Sequence, residues 1–162
     1  MTRPVTTTAE AISQNRAFRN LRQEGAVSLL ITTEAVRRRM VDFLAGAGKD
    51  QVTMQQYNVL RILRGAGAGG LPTLTVAERM MEKTPGITLM VDRLEAKGLV
   101  QRVRCTEDRR QMIVHITKAG LALLTSLDAP VEALNQEVMD CFDDAELRQL
   151  IDLLTRLRNH NS

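Results

Sequence analysis

Residues 84–100 read Thr84-Pro-Gly-Ile-Thr-Leu-Met-Val-Asp-Arg-Leu-Glu-Ala-Lys-Gly-Leu-Val100, a segment punctuated at both ends for one helix. Thr84 suits the N-cap, and Pro85 suits the first helical position, where its missing N–H is harmless. Gly98 is placed to end the helix in a left-handed conformation. Between these signals Ile87, Met90, Val91 and Leu94 follow the i, i+3, i+4, i+7 spacing of a single apolar stripe. One face is therefore core, and Thr84, Thr88, Leu89, Asp92 and Arg93 project from the opposite side.

Downstream the period changes. Val100 to Cys105 and Gln111 to Ile116 alternate as two strands, with the charged run Thr106 to Arg110 as their connecting tip. Upstream, Thr75 and Glu78 form a capping-box signature for a short helix through Met80 and Met81, which turns around Glu82 and Lys83. Two short helices, the second facing outward and followed by a basic-tipped hairpin, make a winged helix-turn-helix. An exposed helix of this kind fits the DNA major groove, where Thr84, Thr88, Leu89 and Arg93 would reach base edges. Arg109 and Arg110 at the tip are suited to the adjoining minor groove or to phosphates.

Further out, Thr53 and Gln56 cap a helix carrying Tyr57, Leu60 and Leu63 that stops near Gly65, and Gly65 to Pro72 reads as a loop. A long helix is expected from about Arg16 to Ala45, preceded by a frayed tail over 1–15. From Thr117 a helical pattern returns, kinked or broken near Pro130, and Asp143 with Glu146 caps a last helix bearing Leu147, Leu150, Ile151, Leu154 and Leu157. The expected class is mainly α with a small β-hairpin. Its winged helix-turn-helix spans 48–117, flanked by an N-terminal dimerisation helix over 16–47 and C-terminal dimerisation helices over 118–162. The flanking helices carry more apolar surface than so small a winged domain can cover, so a homodimer is expected.

Composition narrows the function. With aromatics at 2% of 162 residues, the core must be built from aliphatic side chains and Met, which suits packed helices. Segments 1–47, 48–74 and 75–117 carry net charges of +3, +2 and +2, whereas 118–162 has 4 basic against 8 acidic residues, or −4. That asymmetry permits a polyanion on one side of the molecule. Cys105 and Cys141 lack metal-ligand spacing, and His115 and His160 are isolated, so no catalytic site, metal or cofactor is expected and the chain reads as a non-enzyme. No apolar run is long enough to span a bilayer and the N-terminus lacks a signal-peptide core, which places the protein in the cytoplasm. The consecutive Arg37, Arg38 and Arg39 read as a solvated rim.

The recognition-helix segment, followed by Glu107-Asp-Arg-Arg110 and Ile116-Thr-Lys-Ala-Gly120, resembles the MarR family of bacterial transcription factors in order and spacing. Met54-Gln-Gln-Tyr-Asn-Val-Leu-Arg-Ile-Leu63 is similar to that family's second helix. The resemblance implies a homodimer with entwined terminal helices, a wing braced by Asp108, and Arg110 inserted into the minor groove. It also places effector sites between the dimer helices and the DNA-binding lobe, where Tyr57 is a candidate lining residue. Leu89 departs from the pattern, since the family commonly carries Arg there. The expected function is a dimeric, sequence-specific regulator of a pseudo-palindromic double-stranded operator, a repressor released by a small-molecule effector. The competing reading is a winged-helix protein-interaction module without sequence-specific DNA binding.

Overall fold

The computed structural model describes residues 6–46, 52–80, 86–105 and 111–161. The chain divides into two units, Met1–Gly46 and Ala47–Ser162.

The first unit holds α1 (Thr8–Ala11) and α2 (Leu21–Gly46). The stretch read as a tail thus contains one helical turn. It is closed by a capping box in which the Thr7 hydroxyl accepts from the Glu10 N–H at 3.3 Å and the Glu10 carboxylate accepts from the Thr7 N–H at 2.8 Å. The Thr7 N–H and hydroxyl also hold the Glu10 carboxyl below its ordinary range. The long helix begins at Leu21 and not near Arg16, because the Asn20 side-chain oxygen accepts from the Gln23 N–H at 3.0 Å and caps it there. Along α2, Leu21, Leu30, Val36 and Val41 are exposed. Arg37 forks onto the Glu34 carboxylate at 2.8 and 2.9 Å, an i, i+3 pair on the exposed surface of the helix.

The second unit runs α3 (Met54–Ala66), β1 (Leu71–Pro72), α4 (Thr73–Arg79), α5 (Ile87–Ala96), β2 (Val100–Arg104), β3 (Met112–Ile116), α6 (Lys118–Met139) and α7 (Asp144–His160). The Thr53–Gln56 capping box opens α3 as the sequence indicates, and the helix buries Val59, Leu60 and Leu63 completely. The expected loop before Pro72 instead holds a 3-10 turn, Gly67–Gly69, and a two-residue strand. The sheet is antiparallel in the order β1-β3-β2, with Leu71 opposite Val114 and Arg102 also opposite Val114. Pro72 is tolerated because β1 is an edge strand, where a missing N–H breaks no ladder.

Pairing of β1 also moves the start of α4. Pro72 is held extended at φ −56°, ψ 143°, and the helix begins at Thr73, so Thr75 and Glu78 lie inside it and form no capping box. The helix ends at Arg79, with Met80 already extended, short of the expected Met81. The next helix, α5, begins at Ile87 and not at Pro85: Gly86 stands before it at φ 94°, a backbone that no α-helix can run back through. Thr84 and Pro85 themselves lie outside the described residues. At the other end Gly98 adopts φ 70°, and the N–H groups of Gly98 and Leu99 close onto the carbonyls of Glu95 and Leu94 at 2.8 and 3.0 Å. This is the Schellman arrangement that the sequence indicates.

Thr117 caps α6 by accepting from the Gly120 N–H at 3.1 Å, while its hydroxyl donates to the Gly98 carbonyl at 2.7 Å and its own N–H to Leu99 at 3.1 Å. The end of the sheet, the start of α6 and the end of α5 are thereby tied at one residue. Helix α6 continues through Pro130 without a break, although the Ser126 carbonyl loses its usual donor there. Asp143 and Glu146 form the expected capping box of α7. Among the described residues, no helix is long and apolar enough to cross a membrane.

The junction at Gly120 yields a stability prediction. A Cβ there would overlap the Leu99 carbonyl oxygen and come within 2.8 Å of Ile116 Cγ1. Gly120→Ala should cost about 1–3 kcal/mol, the usual range for overpacking, and lower the urea midpoint accordingly. An unchanged midpoint would show that the junction yields.

Candidate nucleic-acid interface

Helix α4 packs against α5, and α5 packs against β2 and α3. Val91 and Leu94 are wholly buried and Ile87 and Met90 partly so, which confirms the apolar stripe. On the far side Thr88, Leu89 and Arg93 are exposed together, with Leu89 at 54% the most prominent apolar side chain of the helix. The structure therefore brings three of the expected DNA-reading residues onto one open face. Thr84, Asp108, Arg109 and Arg110 fall outside the described residues.

Asp92 is exposed with that group, as expected, and is also engaged from behind. Arg102 on β2 directs its guanidinium to the Asp92 carboxylate, to the Glu95 carboxylate at 3.3 Å and to the Thr88 carbonyl at 3.0 Å. Its backbone N–H donates to the other Glu95 oxygen at 2.8 Å. Sequence reasoning missed Arg102. The available signal was its place in the strand: two residues on from buried Val100 it shares that residue's face, and it pairs with buried Val114, so it points toward the core side, where a charge needs partners.

Tyr57 is buried in α3 and does line a cleft. The cleft, about 460 Å³, lies between α3 and α6, with Arg61 and Arg64 on one wall and Asp128 and Glu132 on the other. The Arg61 guanidinium stands 5.8 Å from the Tyr57 ring centroid, and Arg64 is paired with Asp128 at 2.8 Å. Arg61 thus offers a cation over an aromatic face at the cleft wall.

Consecutive packed helices, the second with an open outward face, followed by an antiparallel sheet, define a winged helix-turn-helix protein. The MarR family model matches residues 52–112. The chain is 32% identical over 108 residues to the uncharacterized HTH-type transcriptional regulator YpoP of Bacillus subtilis, covering 66% of this chain and 74% of that one. It superposes on a MarR transcription factor from Planctomyces limnophilus with a TM-score of 0.65 and 34% identity, covering 86% of this chain and 98% of that one. The fold is shared with the MepR–DNA complex of S. aureus at a TM-score of 0.74 and 18% identity, covering 83% and 96% of the two chains. The chain belongs to the MarR family. It is a transcriptional regulator of the DNA-binding class, and the family is not one of enzymes.

Proposed function

We propose that this regulator binds a pseudo-palindromic operator as a homodimer and represses transcription until a small molecule releases it. The observation that carries this reading is the outward face of α5, where Thr88, Leu89 and Arg93 are presented together while the opposite stripe is locked into the core. In this reading Thr84, Thr88, Leu89 and Arg93 lie in the major groove, and Arg109 and Arg110 meet phosphates or the minor groove. Asp108 braces the wing. The 48–117 segment is the DNA-binding domain, and 16–47 and 118–162 supply the dimer contacts. The same fold occurs in MepR of S. aureus, which was crystallised in complex with DNA.

Release requires an effector that favours one dimer geometry over the other. The cleft between α3 and α6 is the proposed effector site, with Tyr57 and Arg61 against the ligand. Helix α6 connects the cleft to the recognition helix, because the Thr117 hydroxyl at its start bonds to the Gly98 carbonyl at the end of α5. A shift of α6 therefore bears directly on the recognition helix.

Retention of duplex DNA as a function of salt tests the reading, since phosphate contacts release counterions and make affinity fall linearly on logarithmic axes. A steep slope is expected, and Arg110→Ala should reduce it by roughly one unit while weakening binding to all sequences. A flat dependence would favour protein docking over DNA. An unchanged slope in Arg110→Ala would remove the wing from the interface.

A further inference from the structure

We infer that Arg102 is a positioning residue that sets the angle between the recognition helix and the wing; this rests on the proposed DNA interface. The side chain is only 18% exposed, and among the described residues every polar contact it makes is to α5. Thr88, Asp92 and Glu95 are spaced i, i+4 and i+7, so they form one column along the flank of the helix, between its open face and β2. The planar guanidinium reaches two carboxylates and a main-chain carbonyl of that column at once, and the backbone N–H of the same residue takes the remaining oxygen of Glu95. Contacts to both halves of α5 from a single strand position resist rocking of the helix as well as sliding.

The arrangement also disposes of a charge problem. Asp92 shares the outward side of α5 with Thr88, Leu89 and Arg93, where a bare carboxylate would repel phosphates. The guanidinium compensates it from the protein side without itself occupying the open face. Because strand β2 leads into residues 106–110, the same residue that holds α5 also anchors the root of the hairpin. Two elements that must meet neighbouring grooves simultaneously are thereby referenced to each other.

Arg102→Lys separates geometry from charge, because an ammonium keeps the +1 but cannot reproduce the planar fork. Two duplexes serve as probes, an operator selected by the wild-type protein from random sequence and a scrambled version of it. The variant should lose roughly tenfold in affinity for the operator, the size expected when a charged hydrogen bond is lost, while scrambled-duplex binding and its salt slope stay as in the wild type. Amide exchange on the free protein should also show faster exchange confined to α5, β2 and β3. Equal losses on both duplexes, or no loss on either, would overturn the positioning role. Unchanged amide protection would overturn the clamp itself, whatever happens on DNA. A wild-type protein that fails to prefer any selected duplex would instead sink the DNA-binding reading, and the positioning role with it, while the exchange measurement still reports on the clamp.

Discussion

With Ile151 and Leu154 both replaced by aspartate, the protein should sediment as a monomer at micromolar concentration and lose its grip on DNA. The reason lies in α7, whose Leu147, Leu150, Ile151 and Leu154 repeat at i, i+3, i+4 and i+7. None of the residues of this helix is buried within one copy, and Ile151 and Leu154 remain 60% and 38% exposed. In the proposed homodimer a stripe this long is covered by a second copy. Two substitutions in each of two copies remove four side chains, at about 1.5 kcal/mol each, or roughly 6 kcal/mol and four orders of magnitude in the dissociation constant. The Asp143–Glu146 capping box is untouched, so helix content should persist by circular dichroism. A dimer that survives the double substitution would place the interface elsewhere.

Leu89→Arg should change which DNA is bound. Leu89 stands on the open face of α5 between Thr88 and Arg93. Leucine offers guanine no hydrogen bond, but it packs well against the methyl group of thymine. The wild type should therefore prefer thymine at one position of each half-site, and the variant guanine, with discrimination on the order of 1 to 3 kcal/mol for a bidentate contact. Binding-site selection with both proteins decides it. An identical consensus would mean that Leu89 does not read bases.

Local signals in the sequence carried most of the architecture. The capping boxes at Thr53 and Asp143, the stripe through Val91 and Leu94, the Gly98 terminator and the β2–β3 alternation each depend on residues within one or two helical turns of one another. What escaped depends on distant partners. A strand of two residues shows no alternation, so β1 is invisible until Leu71 meets Val114, and that pairing is what displaces the start of α4 from Thr75. Asp92 reads as outward from its helical phase alone; only the register of β2 reveals that Arg102 reaches it. Tyr57 was legible as a buried aromatic, but Arg61 over its ring and the Arg64–Asp128 pair come from the packing of α3 on α6.

In the proposed dimer, two copies of α5 read two copies of one sequence. Selection from a randomised duplex pool by the purified protein, followed by sequencing, tests it most directly. The enriched molecules should contain two inverted half-sites whose centres lie about 10 to 10.5 base pairs apart, or a multiple of that, as a dimer placing its recognition helices in successive major grooves requires. A pool with no enrichment, or one enriched in a single unpaired half-site, would contradict it.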